Sequence, residues 1–257
     1  MMAALCASRR DQRVVLLEKN ERPGLKILIS GGGRCNLTTT KRGVELEREY
    51  GETRARFLRF ALREFPSQAL RDMVEAAGVP LQEEDLDKIF PCSGKARDVV
   101  DALLRLVRGS GAELVTKAPM QALAREGERF VITTPRGVVR ARSVVLATGG
   151  LSYPRTGATG DGYAALRAFG HGLVRPVPAL APLAVEAEWV RGLSGIVLHG
   201  VELAVQDRAG RVLRARNRPI LFTHRGLSGP APMDLSGDVE EQGGGCTLRF
   251  AFAHGWG

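Results

Sequence analysis

With 257 residues, 44% of them hydrophobic and 25% charged, the chain can form one large domain or two smaller ones and has the make-up of a folded globular protein. Its net charge of +9 is spread along the sequence, and no run of 18 apolar residues occurs that could form a membrane-spanning helix. The four cysteines (6, 35, 92, 246) form no CxxC pair and share no metal-ligand spacing with histidines 171, 199, 224 and 254, which argues against a metal centre and suits a reducing, cytoplasmic compartment.

The first ten residues have high helix propensity, with Met2, Leu5 and Cys6 available for a buried face, and they lead straight into an apolar strand at 14–18. A helix followed by a strand is the second half of a parallel β-α-β unit, so the expected start of this chain lies inside the first helix. A turn at Pro23-Gly24 and a short apolar stretch precede Ser30-Gly31-Gly32-Gly33-Arg34-Cys35-Asn36. Helices are predicted at 54–64 and at 67–77, the second with Ser67 as N-cap and Gly78 past its end. In the first of them Phe57, Leu58, Ala61, Leu62 and Phe65 mark one face and Arg56, Arg59 and Arg63 another. The arginine face reads first as solvated surface, second as attraction to an anionic dinucleotide and only third as a nucleic-acid contact.

A loop through 91–94 leads to a third helix, whose Ala96, Val99, Val100, Leu103, Leu104 and Val107 fit a 3.6-residue period. Short strands follow at 113–116, 121–125, 130–134 and 138–142, and an apolar strand at 144–146 runs into Ala147-Thr148-Gly149-Gly150. A helix over 161–169 begins at Asp161, which reads as its N-cap with cofactor contact as a second role. The proline-rich stretch 176–182 marks a boundary between residues 1–180 and 181–257. Beyond it the chain reads as strands at 183–187, 197–205, 211–216 and 220–223, with a turn and helix start at 226–231.

The chemistry-bearing features are the acid and the glycines. A buried strand ending in Glu18 presents a carboxylate that can accept hydrogen bonds from both hydroxyls of an adenosine ribose. Three glycines allow backbone to approach a ligand where a Cβ would clash. The phosphate-binding glycine loop that belongs about 20 residues before such an acid has no room ahead of Glu18. An acid-tipped strand followed about 130 residues later by a strand ending in ATGG, with a β-meander between, is the spacing of two-dinucleotide-type flavoproteins.

The blocks KILISGGGRCNLT, VVLATGGLSYPRTGATGDGYA, GH followed by PVPALAPL, and LFTHRGLSGPA resemble the bacterial BaiN/YhiN-type flavoproteins, which are NAD(P)/FAD-dependent or aminoacetone-oxidase-like oxidoreductases. The resemblance runs through nearly the whole chain. It implies an α/β fold: a two-dinucleotide-binding-type FAD domain over 1–180, incomplete at its N-terminus, with a β-meander, and an inserted β-rich second domain opening at 181–257.

The resemblance also implies roles. Glu18 would hold the adenosine ribose, and Lys26 with the backbone of Ser30 to Gly33 would line the pyrophosphate and flavin side. Arg34, Cys35 and Asn36 would sit beside the isoalloxazine or its ribityl chain. Met120 would offer backbone hydrogen bonds to adenine, and Thr148 and Gly149 would pack on the adenosine. The implied activity is FAD-dependent oxidation or reduction of a small organic substrate, with NAD(P)H or oxygen as redox partner. The sequence names no catalytic side chain, no membrane partner and no oligomeric state. Cys35 reads equally as a packed small residue or a reactive thiol, and His171 and His224 read as caps or turn residues before acid-base groups.

The chain departs from the family pattern at Thr39, where Asn is usual, and at Arg218-Pro219, where Gly-Glu is usual. It also lacks the first strand, the glycine loop and the C-terminal return to the FAD domain. Two other readings therefore stay open: a non-catalytic remnant unable to hold FAD, and an RNA-associated flavoprotein.

Overall fold

The computed structural model describes residues 1–10 and 12–252; His254 and the terminal Trp256-Gly257 lie outside them. Two compact units divide the chain, Met1–Gly172 and Leu173–Gly257.

In the first unit, α1 (Met2–Ser8) buries Ala4 and Leu5, while Cys6, expected on the buried face, is exposed. The buried arc centres on Leu5, and one further residue turns 100° out of it. Strand β1 (Val15–Leu17) comes next, followed by α2 (Leu25–Ile29) and a tight turn at Ser30–Gly33. A small sheet and a helical hairpin come after: β2 (Thr38–Thr39), α3 (Gly43–Glu49), α4 (Glu52–Glu64), α5 (Ser67–Ala76), β3 (Leu81–Glu84) and β4 (Lys88–Pro91).

Helix α6 (Ala96–Gly109) puts Ala96, Val99, Val100, Leu103 and Val107 on one stripe, and these are buried. Each fully buried side chain of this kind is worth about 1.5–3 kcal/mol. The stripe closes one cluster with Val74, Val79 and Cys35. It also reaches a second cluster with Ala4 and Ala112, on which Val14 and Leu16 pack. Strand β5 (Glu113–Val115) then lies parallel to β1, pairing Leu16 with Leu114, so β1, α6 and β5 form a crossover unit. The meander of β6 (Ala122–Glu126), β7 (Arg129–Thr134) and β8 (Gly137–Ala141) is antiparallel throughout. Helix α7 (Asp161–Ala168) ends the regular structure of this unit.

Three expectations are corrected here, and one element is added. Residues 144–146 form no strand, and Val145 is 73% exposed. A strand needs a partner for its backbone groups, and the sheet of β1 and β5 holds only those two strands among the described residues. Residues 81–91, for which no element was expected ahead of the loop at 91–94, form the β3–β4 hairpin. The N-caps of α5 and α7 are Pro66 and Gly160, so Ser67 and Asp161 are first helical residues. On α4 the buried side is Ala55 with half-buried Leu58 and Leu62, while Phe57 and Phe60 are 87% and 76% exposed.

The second unit contains β9 (Leu183–Ala184), α8 (Glu188–Gly192), β10 (Val197–Leu198), β11 (Val201–Gln206), β12 (Val212–Asn217), β13 (Ile220–Thr223), β14 (Gly226–Ser228), α9 (Pro230–Glu241) and β15 (Thr247–Phe252). One sheet has the order β10-β13-β14-β9 and the other β12-β11-β15. Their core is Val201, Leu203, Val205, Ile220, Phe222 and Leu227 from the strands and Ala231 and Leu235 from α9. Arg218, one of the departures from the family pattern, donates to Asp234 of α9 at 2.6 Å.

Candidate functional site

The ladder between β1 and β5 continues past both strands, and this fixes the acid. The Glu18 N–H donates to the Val115 carbonyl (2.9 Å), and the Ala118 N–H to the Glu18 carbonyl (2.9 Å). Glu18 Oε1 accepts from the Asn20 N–H (2.8 Å) and Asn20 Nδ2 (2.9 Å). Its other oxygen, Oε2, accepts no hydrogen bond from another described residue. Met120 follows Ala118 by two residues, just before the Gln121 N–H enters the meander by donating to the Thr133 carbonyl (2.9 Å).

The loop after the ATGG bend sits on this strand end. Asn20 Nδ2 also donates to the Thr156 carbonyl (3.1 Å), and Lys19 Nζ donates to Thr159 Oγ1 (2.7 Å) and Asp161 Oδ2 (2.6 Å). Lys26 donates to the Ser152 carbonyl and to Ser152 Oγ (3.0 Å), and its ammonium lies 5.4 Å from the centre of the Tyr153 ring. Gly149 has a left-handed backbone, φ +80°, and a Cβ there would stand 3.6 Å from Ala158 Cβ. Thr148 lies against the start of α7, where a Cβ on Gly162 would meet its Oγ1 at 2.5 Å. Glu18, Lys26, Thr148 and Gly149 thus belong to one neighbourhood, knit by residues 152–161, and Met120 lies two residues past the Ala118 N–H that bonds to Glu18.

The Asp161 carboxyl is held below its ordinary value, chiefly by the Lys19 hydrogen bond and then by Thr159, with burial opposing. A depressed carboxylate adds stability above its unfolded-state value and loses it as pH falls through the folded-state value. Because both partners are partly exposed, Asp161→Asn is expected to cost at most about 1 kcal/mol at pH 7. Urea titrations should show that deficit shrinking toward zero on acidification below the ordinary carboxylate range. A deficit independent of pH would contradict this assignment.

The remaining residues form a second group at the other end of α2. Ser30 Oγ donates to the Ile27 carbonyl (2.8 Å), and the Cys35 N–H donates back to the Ser30 carbonyl (3.0 Å). Gly31, Gly32 and Gly33 all have positive φ, as does Cys35 at +65°. Cys35 is 2% exposed. Burial pushes its thiol up, against the pull of a Ser30 hydrogen bond. That environment suits packing and not a reactive thiolate. Arg34 pairs with Glu84 and lies 4.5 Å above the Phe90 ring. Arg34, Lys88, Phe90 and the turn 84–86 line a cleft of about 380 Å³, and Asn36 packs against Gly31.

His171 lies past α7, its N–H donating to the Leu166 carbonyl (3.0 Å), and His224 sits in the β13–β14 turn. Among the described residues no three His, Cys, Asp or Glu side chains gather to hold a metal, and no helix is long and apolar enough to cross a membrane. Sequence reasoning missed Lys19, Asn20 and Ser152. Asn20 carried a usable signal, since a short amide two residues past a strand end is placed to bond back to its neighbours.

The HI0933-like protein Rossmann domain family matches residues 1–257. The ribosomal RNA dihydrouridine synthase of Escherichia coli (strain K12) is 30% identical over 238 residues, 92% of this chain and 57% of that protein. The enzyme of the same name from Haemophilus influenzae is 28% identical over 242 residues, covering 92% of this chain and 58% of that one. The 3-dehydro-bile acid delta(4,6)-reductase of Clostridium scindens is 30% identical over 238 residues, with 92% and 57% covered. The chain therefore spans under two thirds of the length of these relatives.

Proposed function

The chain belongs to the family of HI0933-like Rossmann-domain proteins, and from that premise we propose that it holds FAD and serves the oxidation or reduction of a small organic substrate. The observation that supports this reading is the seating of the post-ATGG loop on an acid-tipped parallel strand. An ADP-bearing cofactor needs a ribose acceptor and a close-approach glycine bend in the same neighbourhood. Glu18 and the 148–149 bend supply them, and the unengaged Glu18 Oε2 is available to a ribose hydroxyl.

In this reading Lys26 and the backbone of the Ser30–Gly33 turn take the pyrophosphate side. Arg34 and Asn36 flank the flavin, Cys35 packs beneath it, and Met120 offers its backbone to adenine. Gly32 and Gly33 leave nearly open space where a Cβ would stand, as the close approach of a bulky cofactor requires. Residues 1–180 carry the cofactor, and 181–257 open a β-rich substrate domain. FAD supplies the hydride chemistry when bound, with NAD(P)H or oxygen as its partner; the protein binds and orients.

Calorimetric titration with FAD, ADP and FMN tests the reading. FAD and ADP are expected to bind, and FMN, which lacks the adenosine, at least tenfold more weakly than FAD. Equal affinities for FMN and FAD would overturn the ribose assignment.

A further inference from the structure

Among the described residues that take a positive φ without being glycine, Tyr153 is the one aromatic. It stands at φ +54° and ψ +66°, directly before Pro154. A bulky side chain in that region crowds its own backbone, and a residue ahead of proline ordinarily takes an extended conformation instead. The turn is nevertheless fixed on both sides. The Tyr153 carbonyl accepts from the Thr156 N–H (2.9 Å) and from Thr156 Oγ1 (2.8 Å). Lys26 holds the preceding Ser152 through its carbonyl and its Oγ. The result is a ring held out in the open, 68% exposed, with the Lys26 ammonium 5.4 Å from its centre. An exposed cation–ring contact contributes less than such a backbone costs, so it does not account for the strain. Strain of this kind persists at sites where it serves binding or catalysis.

We propose that the Tyr153 ring stacks on the isoalloxazine of bound FAD. The assignment rests on the FAD reading above and deepens it by naming the side chain that holds the flavin ring. Its tethers say which half of the cofactor it meets. Met120, whose backbone is offered to adenine, follows the Ala118 N–H that bonds to Glu18. Tyr153 is instead tied to Lys26 at the start of α2, a helix of five residues that ends at the Ser30–Gly33 turn. Five residues span about 7 Å, so the ring accompanies the pyrophosphate and flavin side. An isoalloxazine is planar and electron-poor, and an electron-rich phenol ring stacks on it favourably in an offset arrangement. With Lys26 over one face of the ring, the other face is the platform.

The experiment titrates the full chain calorimetrically with FAD and with ADP, and reads the fluorescence of the bound flavin. Tyr153→Leu should weaken FAD binding about three- to tenfold, the factor that one aromatic stack contributes, and leave ADP binding unchanged. Tyr153→Phe should keep FAD affinity within about twofold, since the stacking ring remains. It should also brighten the bound flavin severalfold, because a stacked phenol quenches the excited flavin by reversible electron transfer and a phenylalanine ring does not. Tyr153→Gly removes the strained side chain, so it should melt at or above the parent temperature while binding FAD as weakly as Tyr153→Leu. A side chain with a merely structural role would not give that opposition of stability and affinity. Parent-like FAD affinity and flavin fluorescence in Tyr153→Leu, or equal losses for FAD and ADP, would overturn the assignment and leave the FAD reading standing. A parent chain that binds no FAD would overturn that reading, and this assignment with it.

Discussion

Replacing Gly31 by alanine is expected to destabilise the first unit by about 2–4 kcal/mol, whereas the same change one residue later, Gly32→Ala, costs about 1 kcal/mol. Both glycines have left-handed backbone, φ +55° and +68°, and alanine in that region costs roughly 1–2 kcal/mol wherever it stands. Space separates them. A Cβ on Gly31 would lie 2.6 Å from the Asn36 backbone nitrogen and 2.8 Å from Phe90 Cε1, while a Cβ on Gly32 meets nothing within 4 Å. Phe90 is buried and carries Arg34 over its ring, so neither contact can yield without moving the Arg34–Asn36 turn. For a unit of this size the Gly31 change should lower the melting temperature by roughly 10 °C and the Gly32 change by roughly 2–4 °C. Gly31→Ala should also weaken flavin binding, and Gly32→Ala should largely spare it. Equal losses would mean that φ alone explains this glycine cluster.

The parts of the fold legible in the sequence are those whose signal is local. The stripe of α6 follows from apolar spacing alone, and the meander from alternation punctuated by Gly127 and by Pro135-Arg136-Gly137. The β3–β4 hairpin was not legible, because its turn places Leu86 and Asp87 at positive φ (+65° and +58°) without a glycine. The usual residue cue for such a turn is missing. The apolar run at 144–146 misled for the opposite reason. It has strand composition, but strand formation depends on a partner far along the chain.

The aromatic side of α4 misled because periodicity gives the width of an apolar arc and not its bearing. The inward arc is centred on Ala55, Leu58 and Leu62, which leaves both Phe57 and Phe60 on the solvent side. Helix α9 was read only as a helix start, its length hidden by Pro230, Pro232 and Gly237. At the site, Glu18 and the ATGG bend could be paired from their spacing. The residues that join them could not, since Asn20 to Thr156 and Lys19 to Asp161 span well over 100 positions.

Glu18→Ala is expected to weaken FAD binding roughly a hundredfold while leaving the unliganded fold nearly intact. Hydrogen bonds to a charged acceptor contribute about 1.5–3 kcal/mol each, and two ribose hydroxyls can share this carboxylate, so loss of the pair gives a factor of about 100 or more. Part of the effect travels through Asn20. Its Nδ2 group serves both Glu18 Oε1 and the Thr156 carbonyl, so deleting the acid frees the amide to rotate and loosens the loop at 152–161. Glu18→Gln keeps an oxygen for Asn20 but loses the charge and one acceptor, and should fall between, at about tenfold. ADP affinity should drop by the same factor as FAD affinity, because the ribose is common to both. A fall in FAD affinity with ADP unchanged would place Glu18 near the flavin instead, and unchanged FAD affinity would remove the acid from the cofactor site altogether.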